Sequence, residues 1–229
     1  IGVVLFFLSI LHAQQNITFE TLSIEQGLSQ TVVYSVVQDG RGFLWFGTQD
    51  GLNRYDGYSF TVYKNNHLDT SSLSDNRILK VFKDQSGLIW VGTADGGLCR
   101  FDGDKESFVI YRNDPKNTNS ISSNRVNFIA EDASGNLWLA TSGGLDVLDK
   151  TTGTFRHQDK TTSVGKELPS RQVNAMLFDA KGRIWIGTNK GLIAHESVSG
   201  KTIKFEYGIG AGKIIHENIL SLCEDRNGV

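Results

Sequence analysis

The titratable side chains of this chain of 229 residues limit the chemistry open to it. Five histidines are scattered, at His12, His67, His157, His195 and His216. His195-Glu196 and His216-Glu217 begin like a zinc-binding HExxH, but each lacks the second histidine, and neither lies in a helical pattern. Asp39, Asp84, Asp132 and Asp179 each stand three residues ahead of a glycine. These Asp-x-x-Gly segments lack the alternating oxygen ligands of a calcium loop. No nucleophile elbow, phosphate loop or dinucleotide fingerprint is present. No catalytic residue, metal or cofactor is therefore expected, and the recurring aspartate reads as a cap on backbone N–H groups.

Residues suited to binding recur in a different way. Thr31, Arg77, Arg125 and Arg171 fall at the starts of four apolar runs, and Asp50, Asp95 and Lys190 fall in Gly-rich corners. Asp50, Arg77, Asp95, Arg125, Arg171 and Lys190 are thus the candidate ligand-binding residues. Together they would make a polar mouth for an anionic or hydroxyl-rich ligand, because guanidinium forks suit carboxylates and hydroxyls. The competing reading is that the arginines pair with neighbouring aspartates and merely hold the scaffold, as positions repeated in every unit usually do.

The elements that carry these residues come from a repeat. DGRGFLWFGTQDGLNRYD (Asp39 to Asp56) returns from Asp84, Asp132 and Asp179, and DRNG at Asp225 opens a further copy. All four tryptophans, Trp45, Trp90, Trp138 and Trp185, occupy one place in the unit, at spacings of 45, 48 and 47 residues. Each unit reads as four short apolar runs separated by turn residues, which predicts an antiparallel meander. The glycine of each Asp-x-x-Gly falls where a hairpin needs positive φ. The second run is apolar on both faces, with Trp45 and Gly47 on one and Leu44 and Phe46 on the other. Such a sheet must be sandwiched between neighbours, so the expected fold is all-β: about four four-stranded antiparallel blades of a β-propeller, an incomplete ring. Gly47, Gly92, Ala140 and Gly187, two residues after each tryptophan, suggest close contact between sheets. A parallel solenoid is the rival, disfavoured because the turns demand antiparallel hairpins.

Blades are expected near 32–63, 77–112, 125–158 and 172–207, with a fifth beginning at 217–229. Residues 17–25 resemble a fourth strand that closes the ring. Ile1 to Leu11 is apolar and uncharged, and His12-Ala13-Gln14-Gln15 follows. Residues 1–13 thus read as a secretory signal peptide truncated at its start, leaving 14–229 as a partial propeller; a truncated membrane anchor is the alternative. Asn16-Ile17-Thr18 matches a glycosylation sequon weakly. Cys99 and Cys223 lie in different blades and are expected as buried free thiols rather than a disulfide. With a formal charge of −2, and no basic stripe, nucleic acid is a poor candidate partner.

These residues carry a resemblance. Gly27-Leu28-Ser29, Asp39, Gly42, Trp45, Gly47, Thr48, Gly51, Leu52 and Asp56, recurring in register, closely resemble the two-component regulator propeller repeat. The links Ser72 to Arg77 and Ser120 to Arg125 are also similar to it. The departures are Ala140 in place of Gly and His195 where the third strand usually ends in Asp. The resemblance implies the periplasmic sensor half of a hybrid two-component system of Bacteroidetes type. In such proteins two seven-bladed propellers and a β-sandwich precede a membrane helix, a histidine kinase, a receiver and a DNA-binding domain. It further implies an inner-membrane parent, a homodimer in the full-length protein, and a response to glycans or their breakdown products. Two other functions stay open at this point. One is a structural or protein-interaction propeller with no small ligand. The other is a propeller lyase or hydrolase, which would need a histidine with an acid near the axis; His195 is the only candidate close to a repeat motif, and its place at the outer end of a third strand argues against an axial site.

Overall fold

The computed structural model describes residues 20–196, 199–210 and 212–225. Sixteen strands run in order. The first sheet holds β1 (Val33–Gln38), β2 (Leu44–Thr48), β3 (Gly51–Tyr55) and β4 (Phe60–Tyr63). The second holds β5 (Ile78–Lys83), β6 (Ile89–Thr93), β7 (Leu98–Asp102) and β8 (Ser107–Tyr111). The third holds β9 (Val126–Glu131), β10 (Leu137–Thr141), β11 (Leu145–Asp149) and β12 (Thr154–His157). The fourth holds β13 (Val173–Phe178), β14 (Arg183–Thr188), β15 (Gly191–Glu196) and β16 (Thr202–Phe205). Each sheet is an antiparallel meander in sequence order, and the four sheets do not close a ring. The architecture is that of a β-propeller fragment.

The first hairpin of each sheet follows from its Asp-x-x-Gly. Asp39 accepts from the backbone N–H of Arg41 (2.9 Å) and of Phe43 (3.0 Å), while Gly42 takes φ +92° to turn the chain. Asp179 does the same for Lys181 and Arg183, with Gly182 at φ +76°. The other aspartate oxygen has a second task. It accepts the indole N–H of the tryptophan six residues on, at 3.0, 2.9, 2.9 and 2.8 Å in the four units. One carboxylate therefore fixes both the turn and the rotamer of the largest core side chain.

The sheets stack through three apolar layers. Trp45 and Leu52 meet Ile78, Val81 and Val91 between the first and second sheets. Trp90 and Leu98 meet Val126, Ile129 and Leu139 between the second and third. Ala140 and Leu145 meet Val173, Met176 and Ile186 between the third and fourth. The small residue after each tryptophan sets the spacing. A Cβ on Gly47 would lie 2.6 Å from Ile78 Cγ2, and one on Gly92 would lie 2.9 Å from Val126 Cγ1. In β6, with a sheet on either side, every residue is buried. In β2, Leu44 and Phe46 are only half-buried, because no described sheet covers that face.

Several sequence expectations need correction. Residues 20–23 form no strand, and Ile24–Gln26 is a 3-10 turn. Ser23 and Gln26 cap each other reciprocally there, and Gly27 at φ +106° ends the turn, so local capping takes precedence over an extended run. Among the described residues of 217–229, no strand is formed. The stretch still follows the repeat, because Ile219 N–H donates to Thr188 O at 2.9 Å and Ile219 Cγ2 lies over Gly187. Both cysteines are free, but only Cys99 is buried; Cys223 is exposed, since no described sheet lies beyond it. The signal-peptide reading of 1–13 and the Asn16 sequon lie outside the described residues.

Candidate functional site

Each first strand leaves one end of its sheet and each second strand returns to it. The corners between second and third strands therefore share a face with the links between sheets. An equivalent backbone hydrogen bond joins each corner to the link before its sheet: Gln49 N–H to Val32 O, Ala94 to Arg77, Ser142 to Arg125 and Asn189 to Gln172, at 3.0–3.2 Å. These bonds fix the register. Arg77 and Arg125 are equivalent, and their counterparts are Val32 and Gln172. Arg171 stands one residue earlier, because Gln172 intervenes before Val173. Of the three arginines expected at strand starts, Arg77 and Arg125 are thus equivalent and Arg171 is not.

The candidate residues do not form one cluster. Asp50 pairs with Lys64 at 2.6 Å, both side chains nearly half exposed, a contact that contributes little in water. Asp95 N–H and Arg77 N–H both donate to the Asp75 carboxylate, at 2.8 and 3.1 Å. Arg125 Nε donates to Asn127 Oδ1 at 3.0 Å, and Asn127 Nδ2 in turn donates to Val173 O of the next sheet at 2.8 Å. Lys190 is exposed, and its N–H donates to Thr188 Oγ1. Among the described residues no ion pair joins Arg77, Arg125, Arg171 or Lys190 to a carboxylate. The arginine–aspartate clamp is therefore not how these sheets are held.

Of the six, Arg171 alone lines a large cleft, of about 720 Å3, on the same face. Its walls are the link 113–122 between the second and third sheets and the link 158–171 between the third and fourth. Its floor is Asp146 of β11 with His157 of β12. The Asp146 side chain is fully buried. Its Oδ2 accepts Ser122 N–H (2.9 Å) and Ser122 Oγ–H (2.7 Å), and its Oδ1 faces His157 Nδ1 at 2.6 Å. His157 Nε2 faces the Thr118 carbonyl at 2.9 Å. A carbonyl only accepts, so Nε2 donates, and one proton is shared along the contact between Nδ1 and Asp146 Oδ1. The imidazole is thereby locked in orientation between two loops.

Sequence reading missed this pair, although a signal was present. The residue after each Gly-Leu (Gly-Gly-Leu in two units) is Asn53, Cys99, Asp146 and Ile193, and the aligned position in the link holds Ser29, Ser74, Ser122 and Pro169. Asn53 Oδ1 accepts Ser29 N–H at 2.8 Å, as Asp146 does from Ser122. Aligning the copies would have shown a carboxylate in one unit only. His195 is buried in β15, its Nδ1 2.7 Å from Thr202 Oγ1 and its Nε2 3.4 Å from Ser163 Oγ. Burial lowers its pKa, and it does not line the cleft.

With the geometry established, comparison with known proteins places the chain. The family model of the two component regulator propeller matches four times, at residues 27–50, 72–95, 120–143 and 167–190. The chain is a member of that repeat family. It is similar to the extracellular domain of a putative hybrid two-component system of B. thetaiotaomicron, with 33% identity, TM-score 0.75, and coverage of 82% of this chain and 26% of that one. A second such extracellular domain from that organism matches at 26% identity and TM-score 0.71, over 92% of this chain and 30% of that one. A protein of Formosa agariphila named histidine kinase P4 is 47% identical over 76 residues, 32% of this chain and 6% of the kinase. The chain thus spans about a quarter of the solved relatives and a small part of the curated one. Among the described residues no helix is long and apolar enough to cross a membrane.

Proposed function

We propose that this chain is part of the extracytoplasmic sensor region of a membrane-bound hybrid two-component signalling protein, a homodimer whose kinase lies elsewhere in the polypeptide. The observation that carries this reading is the 33% identity, sustained over 82% of the chain, to an extracellular domain of that class. In this reading the propeller recognises glycans or their breakdown products on the face of links and corners, and blade contacts pass the change toward the membrane. Arg77, Arg125, Lys190, Asp50 and Asp95 supply its polar surface near the inner strands. Arg125 is the residue to test, because it is half-buried and tied through Asn127 to the next sheet. The experiment titrates the intact protein and its Arg125→Ala variant with an oligosaccharide panel while reading kinase autophosphorylation. A glycan-dependent change in phosphorylation that is weakened by Arg125→Ala supports the role. Phosphorylation indifferent to every glycan refutes it.

A further inference from the structure

The cleft between links 113–122 and 158–171 is where this chain departs from its own repeat. The first two links are close copies. In each an asparagine (Asn65, Asn113) donates its amide to a carbonyl eight residues on (Leu73, Ile121) at 2.7 Å. Each also clasps the outer strand of the next sheet, through Phe108 N–H to Ser71 O (2.7 Å) and Phe155 N–H to Asn119 O (2.9 Å). The third link abandons this design. Among the described residues neither the asparagine bond nor the clasp recurs in it, and Gly165–Glu167 forms a 3-10 turn. Gly165 is buried against the carbonyls of Gln158 and Asp159, too close for any side chain. The opening beside it is about 720 Å3, against about 350 Å3 beside the first link, at Asn65 to Ser72 and Arg112.

A second departure falls at the same place. Asp146 pairs in register with His157, where the other sheets hold Asn53 with Val62, Cys99 with Ile110 and Ile193 with Lys204. Only the third sheet has an ionisable pair there, with Asp146 buried and His157 partly exposed to the cleft. Positions common to all units serve the ring, whereas two independent departures meeting in one cavity serve something else.

The geometry points to this cleft as a binding site for an acidic sugar of one or two rings. The inference deepens the sensing role proposed above and rests on it for its biological use, not for its chemistry. The volume is that of a small-ligand pocket. Asn113, Asn117, Ser170 and Gln158 line it with groups that both donate and accept, as hydroxyls require. Lys160, Lys166 and Arg171 are exposed on its wall, and among the described residues none pairs with a carboxylate. Two wall carboxylates oppose them, and both are committed to their own turns: Asp114 to Lys116 N–H at 2.9 Å, Asp159 to Thr161 N–H and Oγ–H at 2.8 and 2.6 Å. Asp146 is buried and held by Ser122 and His157, so the exposed wall presents three cations against two carboxylates that are engaged in their own turns.

The test is titration of the intact protein with digalacturonate, and with neutral cellobiose for comparison, followed by calorimetry and by the His157 ring resonances. Digalacturonate is expected to bind and to shift those resonances, while cellobiose binds on the order of tenfold more weakly or not at all. Lys166→Gln and Arg171→Gln, both exposed, should each weaken digalacturonate binding with an unchanged thermal midpoint. No digalacturonate binding, equal binding of the two sugars, or variants that bind like the parent would each overturn the assignment. Binding in the cleft with no change in kinase output would keep the site and remove its role in sensing.

Discussion

Asp179 shows how one residue type serves four units. Its burial opposes ionisation. The Trp185 indole, the Arg183 N–H and guanidinium, and the Lys181 N–H outweigh that, and its pKa falls from 3.8 to about 2. Asp84 and Asp132 are shifted the same way, each opposed by burial and held down by side-chain and backbone donors that include its tryptophan. A carboxyl with a depressed folded pKa stabilises the fold above its unfolded pKa and loses that contribution as pH falls through the folded value. Asp179→Asn should therefore lower the unfolding midpoint by a constant amount above about pH 4, and the gap to the parent should close toward pH 2. Denaturant melts followed by tryptophan fluorescence at intervals of pH would show it; a gap that stays constant down to pH 2 would mean the charge contributes nothing. The turn role of this aspartate was legible in the sequence from Asp-x-x-Gly alone. The indole bond was not, because turn chemistry explained the residue fully and left its constant distance of six residues to the tryptophan unasked.

At the scale of elements, the spacing between sheets depends on residues that lack side chains. A β-carbon on Gly92 would sit 2.9 Å from both Val126 Cγ1 and the Val126 carbonyl, and that carbonyl belongs to β9, which cannot yield without moving its sheet. Gly92→Val should cost about 1–3 kcal/mol or more by overpacking, read as a lower urea midpoint at unchanged slope. Ala140→Gly should cost less than about 1.5 kcal/mol, since it removes one methyl and adds backbone freedom. If the two changes are equally mild, the steric account is wrong. The sequence made this contact visible because the same place holds only Gly or Ala in four copies. It did not reveal the third link. The third link matches the others in length but not in the residues that close them, so a repeat-based reading passes over it, and its 3-10 turn depends on Gly165 packing against Gln158 and Asp159. The internal comparison that identified the blades hid the segment that departs from them.

For the molecule as a whole, the stacking of sheets makes one surface unlike the others. Val81, Ile129 and Met176 occupy one place in the first strands of the second, third and fourth sheets, and are at most 2% exposed. Val36, their counterpart in β1, is 53% exposed, with Val33 and Tyr34 beside it at 37% and 44%. Each buried counterpart is covered by the sheet preceding it in the chain, so the β1 face has the shape and apolarity to take another sheet. Under the sensor role proposed above, the expected occupant is a further blade of the same polypeptide, since the repeat dictates complementary spacing. A single cysteine placed at Val36 should react with a soluble maleimide readily in this chain and at least tenfold more slowly in the intact sensor, by the ratio of open to covered states. The same probe at Val62, exposed on the outer strand β4, should react alike in both. Equal rates at Val36 in the two proteins would mean that the β1 face stays in water, and that the ring is completed, if at all, by contacts other than those that join the four sheets here.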